Sequence, residues 1–321
     1  EDFSQWSKLN TTINSNATIS PDGTTNASLI YPTTSGVDRL IEKIVSATTG
    51  QVWTSSFFVK VSGFDWVLVY APNLGVCWFN ASTGVFGTVA SGVAASVSGQ
   101  VNGFWRISFT ATLSSNNAYF YAGIADLNGT TFATTSGTSG LYIYGAQLEQ
   151  NSYATSYIPT SGVISTRLAD IATNSGNASL INSEEGTLYA EIEALADDLS
   201  YRAISISNNT QQNQLLMEYE GVTNKFRAYL AVSNNLDGLI SVTIDTTQNN
   251  KIAYKYAENN LALWINGVEV GSFTGTKAMM AANTMTNLRF TRGNNTQPFY
   301  GKNKALAVYK TALTDASLRS L

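Results

Sequence analysis

Leu261-Ala262-Leu263-Trp264-Ile265-Asn266-Gly267-Val268-Glu269-Val270 decides the fold class of the chain around it. Two apolar runs flank Asn266-Gly267, and an Asn-Gly pair accepts positive φ at both central positions of a type I′ turn. The twist of that turn suits the flanking strands, so the segment Leu261–Phe273 predicts a two-residue β-hairpin. Working outward, Phe226, Ala228, Leu230 and Val232 alternate with Lys225, Arg227, Tyr229 and Ala231, the period of a half-buried strand. Gly186–Leu195 reads as another strand, led by Thr187, Tyr189 and Glu191.

The first half follows the same logic. Trp105, Ile107, Phe109 and Ala111 alternate with Arg106, Ser108, Thr110 and Thr112. Val67 and Val69 oppose Trp66, Leu68 and Tyr70, and Tyr119 and Tyr121 oppose Phe120, Ala122 and Ile124. Asn80-Ala81-Ser82-Thr83-Gly84 is turn chemistry. Short strands between Gly, Asn, Ser and Thr turns are the pattern of sandwiches and jelly rolls. The one helix expected comes last: Thr314 caps it, Asp315 faces the positive dipole end, and Leu318 and Leu321 share a face. The expected fold is all-β, two β-sandwich or jelly-roll domains in tandem with a short C-terminal helix.

A chain of 321 residues is long enough for two domains. Pro159 followed by Thr160-Ser161-Gly162 marks the boundary, giving a first domain over 1–160, a linker over 161–172 and a second domain over 173–321. Charged residues make up only 12% of the chain and the net charge is −4, so no basic stretch is present to track nucleic acid. No run reaches the ~18–20 apolar residues of a membrane helix, so no membrane insertion is expected. The chain starts at Glu1 without Met, which reads as a fragment, a processed form or part of something longer. The single cysteine, Cys77, excludes an intrachain disulfide, and its apolar surroundings Val76, Trp78 and Phe79 predict burial. The absence of histidine removes Ser-His-Asp and Cys-His triads and histidine metal sites together.

Several segments resemble a jelly-roll module of bacteriophage tail and head-appendage proteins. The opening Glu1-Asp2-Phe3-Ser4-Gln5-Trp6, the turn Pro21-Asp22-Gly23-Thr24 and the strand start Gly103-Phe104-Trp105-Arg106 are similar to its pieces. Gly145-Ala146-Gln147-Leu148-Glu149, then Tyr153-Ala154-Thr155-Ser156-Tyr157-Ile158-Pro159 and Thr166-Arg167-Leu168-Ala169-Asp170, are similar to its closing segment. The second half resembles concanavalin A-like, laminin-G-type jelly rolls, through Gly186–Glu191, the Asn266-Gly267 hairpin, Tyr300–Tyr309 and Ala312-Leu313-Thr314-Asp315. Asn303 departs from that family, which carries an apolar residue there, and the departure implies looser packing or a shifted register.

These resemblances imply a phage virion appendage, a tail or head fibre or decoration, that binds host-surface polysaccharide without catalysis. It would lie at the virion surface beside other virion proteins, as a homo-oligomer with a trimer favoured. A purely architectural role is the alternative, and a polysaccharide depolymerase ranks below both. Glycosidase chemistry needs paired carboxylates at defined separation. Glu191 and Glu193 share a strand face without the required acid between them, and Glu184-Glu185 reads as a solvated turn. No cofactor is expected. Laminin-G-like folds often hold calcium on loops, and Asp65, Asp126, Asp170, Asp237 and Asp245 sit near turns, but no site is assigned.

Sugar recognition needs aromatic faces for C–H groups and polar partners for hydroxyls. The candidates are Trp66, Tyr70, Arg106, Tyr119 and Tyr121 in the first module and Arg227 and Tyr229 in the second. The competing reading makes the same rings core or oligomer interface. Trp53, Trp105 and Trp264 are assigned to packing.

Overall fold

The computed structural model describes residues 3, 5–33, 38–130, 133, 137–160, 164–166, 175–275 and 279–321. Parts of the opening motif (Glu1, Asp2, Ser4), the Arg167–Asp170 motif and most of the expected linker lie outside the described residues. The chain forms two compact units, Glu1–Arg167 and Leu168–Leu321.

The first unit holds two six-stranded sheets. One runs β1 (Ser7–Leu9), β4 (Leu40–Ser46), β11 (Asn117–Ala125), β6 (Trp66–Ala71), β7 (Gly75–Asn80), β8 (Val85–Phe86). The other runs β2 (Thr11–Ile19), β3 (Thr25–Pro32), β12 (Gly140–Glu149), β5 (Val52–Ser62), β10 (Phe104–Thr112), β9 (Ala94–Val101). Their core joins Ile41, Val67, Val69, Cys77, Phe79, Phe120, Ala122 and Ile124 from the first sheet with Phe57, Val59, Ile107, Phe109, Leu141 and Ile143 from the second. Those on β6, β10 and β11 are the inward members of the alternations read above, so each of these strands' other face points away from this core.

The second unit holds two five-stranded sheets. One runs β20 (Val268–Phe273), β19 (Leu261–Ile265), β18 (Asn250–Tyr256), β13 (Gly186–Ala194), β22 (Gly301–Tyr309). The other runs β17 (Asn235–Thr243), β16 (Lys225–Val232), β15 (Gln214–Tyr219), β14 (Arg202–Ser207), β21 (Asn287–Arg289). The hairpin closes at Ile265↔Val268, with Asn266 at φ 51° and Gly267 at φ 77°, as its turn requires. Opposite β13 the register of β22 shifts: Glu191 pairs with Ala305 and Ile192 with Asn303. The bulge leaves Asn303 exposed, which explains why a polar residue stands in that strand. The helix α1 (Asp315–Ser320) is capped by Thr314, whose side chain accepts from Ser317 N, and Leu318 packs onto Trp264 and Tyr189.

The closing segment of the first unit is a fastening. Gly145 has φ +61° and makes a bulge, because Tyr144 pairs with Phe58 while Gln147 pairs with Ser56. Beyond it the Gln147 amide donates to Thr155 Oγ1 at 3.2 Å and accepts from Ile158 N at 3.0 Å. Glu149 accepts from Thr155 N at 3.1 Å, so the chain folds back along the sheet. Tyr157 then packs edge-on against Tyr144 at 5.4 Å. Tyr144 donates to Asp22 Oδ2 at 2.8 Å, which joins the Pro21–Thr24 turn to the same place.

Candidate functional site

The outward face of the β4–β11–β6–β7 sheet carries the aromatic residues that the sequence nominated in the first unit, Trp66, Tyr70, Tyr119 and Tyr121. Tyr121 lies directly across from Tyr70 on β6 and from Glu42 on β4. The ring centroids of Tyr70, Tyr119 and Tyr121 are 5.4 Å (Tyr70–Tyr121), 5.4 Å (Tyr119–Tyr121) and 6.1 Å (Tyr70–Tyr119) apart. All three rings are half-buried, so they form a joined platform with solvent access. Burial pushes the Tyr121 phenol well above its ordinary range, and its hydrogen bond to Glu42 adds to the rise. Tyr121 is therefore neutral, and Glu42 lies beside it at the platform's border.

Trp66 lies further along β6, beside Leu68, Trp78, Val76 and Ala125. Trp78 is the member that the sequence did not nominate. Its apolar run Val76–Phe79 does not alternate in polarity, yet Cys77 and Phe79 turn inward while Trp78 turns outward. Its indole donates to Thr130 O at 2.8 Å and only 8% of the residue is exposed, so it packs beside Trp66 and Leu68 and is tied to the 126–130 loop. Trp66 is half-buried and shares the outward face of β6 with Tyr70.

Arg106 is placed elsewhere. It sits on β10 in the other sheet, donates to Ser56 Oγ at 3.2 Å and to the Thr155 carbonyl, and covers the Phe58 ring. Its guanidinium is spent on the closing segment and does not meet the tyrosine platform. Trp105 packs against the core and donates to Ala81 O at 3.0 Å.

The second-unit pair also differs from expectation. Alternation does place Arg227 and Tyr229 on the outward face of β16, but residues 291–293 lie over that face. Thr291 O accepts from Ser205 Oγ at 2.7 Å, and Gly293 N donates to Gln214 Oε1 at 3.0 Å. Tyr229 is left 7% exposed, its hydroxyl accepting from Gln214 at 3.3 Å, so its ring presents no open face to a ligand. Arg227 donates through Nε at 3.0 Å and Nη2 at 2.7 Å to the fully buried Glu218 carboxylate. Arg292 grips the same carboxylate at 2.6 Å and 2.9 Å, and these bonds raise its pKa further. Tyr201 lies against both guanidiniums, at 5.6 Å from Arg227 and 5.2 Å from Arg292.

The strand acids are likewise engaged. Glu191 accepts from Lys304 and from Asn249, each at 2.7 Å, and these bonds hold its carboxyl below the usual carboxylate range. Glu193 pairs with Lys302 at 2.7 Å. Both are acceptors in cross-strand ion pairs on β13, which accounts for their sharing a face. Among the described residues no group of three or more carboxylate or cysteine side chains comes together to hold a metal ion; Asp170 lies outside them.

Residues 168–319 match the family described as the concanavalin A-like lectin/glucanases superfamily. The match falls in the second unit, whose sandwich is of the concanavalin A-like kind, and the chain's four sheets form sandwich-like jelly-roll domains. Similar solved structures include the CBM40 of the Ruminococcus gnavus IT-sialidase bound to alpha2,3 sialyllactose, at 16% identity and TM-score 0.38, covering 43% of this chain and 82% of that one. They also include the heptameric SAP-like pentraxin of Limulus polyphemus, at 16% identity and TM-score 0.35, covering 44% of this chain and 70% of that one. Domains LG4-5 of the mouse laminin alpha1 chain are similar at 10% identity and TM-score 0.34, over 84% of this chain and 87% of that one. A search of curated proteins finds no match.

Proposed function

We propose that this protein binds cell-surface glycan through the Tyr70–Tyr119–Tyr121 platform, without catalysis, as an appendage on a bacteriophage virion. The clustered rings carry the reading: three half-buried tyrosines within 6.1 Å of one another, tilted at 46° and edge-on at 86°, present ring faces and edges bordered by Glu42. A pyranose presents C–H groups on its face and hydroxyls at its edge. The tyrosine faces take the first, and the phenol oxygens and Glu42 take the second. A lectin-like second unit agrees with a binding role. The engaged state of Glu191 and Glu193 supports a non-catalytic assignment.

One ring stacked on such a platform buries on the order of 100 Å², which stabilises binding by about 2–3 kcal/mol before entropic losses. Affinity per site is therefore weak, and adhesion needs several copies on one particle. A symmetric homo-oligomer, a trimer in this proposal, supplies them. The virion setting rests on the resemblance of the closing segment to phage appendage modules. A glycan array probed with multivalently displayed protein tests the binding claim. No binding in that format, together with a stable oligomer that buries Tyr119 and Tyr121, would move the assignment to an architectural role. A complete gene flanked by no capsid or tail genes would remove the virion setting.

A further inference from the structure

Arg39 stands apart from the platform and from every fastening described above. It immediately precedes β4, and its carbonyl accepts from Ile124 N at 3.1 Å, so it sits where β4 begins and β11 ends. Leu40 faces outward opposite Gly123 and Ile41 faces the core, which puts Arg39 on the core side at the end of the sheet. The residue is 1% exposed. None of its Nε, Nη1 and Nη2 atoms has a hydrogen-bond partner among the described residues.

A guanidinium carries five N–H donors and does not shed its charge in proteins, so it cannot escape burial by neutralising. Burial pulls its pKa below the ordinary value, and the carboxylate of Asp126, just past the end of β11, opposes that pull without bonding to it. An apolar residue of similar volume would fill the place without the desolvation cost. A buried guanidinium that satisfies none of its donors calls for a partner that brings its own acceptors.

We infer that Arg39 anchors a small carboxylate-bearing ligand at this end of the first unit. The planar fork of Nη1, Nη2 and Nε matches a carboxylate in bidentate fashion, which a spherical anion does not reproduce. The end of a sandwich, where connecting segments lie, is also where a ligand can approach without parting the sheets. Asp126 sets the competition: its charge acts on the guanidinium without bonding to it and opposes an incoming anion.

Thermal unfolding of the full chain at fixed ionic strength tests this, with acetate, glucuronate or chloride as the variable anion. Acetate or glucuronate should raise the midpoint saturably, by about 4 °C at ten times the dissociation constant, while chloride should not. A larger response to glucuronate assigns the ligand to the acidic sugars, and an equal one assigns it to simple carboxylates. Arg39→Met should abolish the response and raise the midpoint in chloride; Arg39→Lys, which keeps the charge but not the fork, should weaken the response about tenfold. Asp126→Asn should strengthen it. A carboxylate response that persists in Arg39→Met, no response in the wild type, or a midpoint in chloride lowered by Arg39→Met would each overturn the inference. The readout needs no glycan, so its failure is separable from failure of the tyrosine platform.

Discussion

Replacing Glu218 by Gln removes a buried charge while keeping the side chain's shape. The Glu218 carboxylate is fully buried and accepts four N–H bonds, three on Oε2 from Arg227 and Arg292 and one on Oε1 from Arg292 Nε at 2.6 Å. A glutamine can place its oxygen at Oε2, but its NH2 then meets the Arg292 Nε–H donor and the two must part. The lost charge leaves Arg227 with Glu220 alone at 3.9 Å. Removing one partner of a buried pair costs about 3–5 kcal/mol. Arg227 and Arg292 keep 23% and 19% of their side-chain surface in water, so solvent relieves part of that cost. We expect the lower end, about 3 kcal/mol, which for a unit of this size is about 9 °C in the melting midpoint. Differential scanning calorimetry reads the shift, and hydrogen exchange at 290–299 should show lost protection there. Replacing Glu218, Arg227 and Arg292 together by Met should restore much of the loss, because the uncompensated charges go with the pair. A shift below about 2 °C for Glu218→Gln would refute the reasoning, since the clamp would then be worth no more than a surface ion pair.

Two further outcomes test the fastening in the first unit. Gly145→Ala puts a Cβ at φ +61°, 3.1 Å from Phe58 Cδ2 and 3.3 Å from Tyr157 Cδ2, and should cost about 1–2 kcal/mol by urea unfolding. Faster proteolysis within 153–159 should accompany it. Asp22 is held well below the usual carboxylate range, first by Asn26 and then by the Thr24 amide. Its folded pKa is depressed, so its contribution is complete above the unfolded value of about 3.9 and drains as pH falls towards the folded one. Asp22→Asn should therefore lower the midpoint at neutral pH and flatten its decline below about pH 4, and identical slopes for both proteins would contradict the assignment.

Local pattern carried much of the fold and less of the site. Asn266-Gly267 defined its hairpin because a type I′ turn is a two-residue property, and the inward residues of β6, β10 and β11 followed from period-two alternation. Asn303 marked a real irregularity: the register shift lies opposite it. The platform was half legible. Alternation turned Tyr70 and Tyr121 outward, but their meeting depends on the pairing of β6 with β11, which no local signal sets. Trp78 was hidden in an unbroken apolar run. Tyr229 was rightly turned outward, and a segment some 60 residues away covers its face. A separation of 74 residues conceals the Arg292–Glu218 contact, and Arg39 belongs to no pattern at all. The closing motif, conspicuous in the sequence, turns out to hold Thr155, Ile158 and Tyr157 in place instead of facing a ligand.

The most direct test is a comparison of glycan binding by the wild type, Tyr121→Ala and Tyr70→Ala in one multivalent format, after each variant is shown to keep the wild-type melting profile. Losing one stacking ring removes about 2 kcal/mol, so each substitution should weaken binding about 30-fold per site, while Tyr229→Phe, at a covered ring, should leave it unchanged. Glycan binding of wild-type strength in both tyrosine-to-alanine variants would contradict the account.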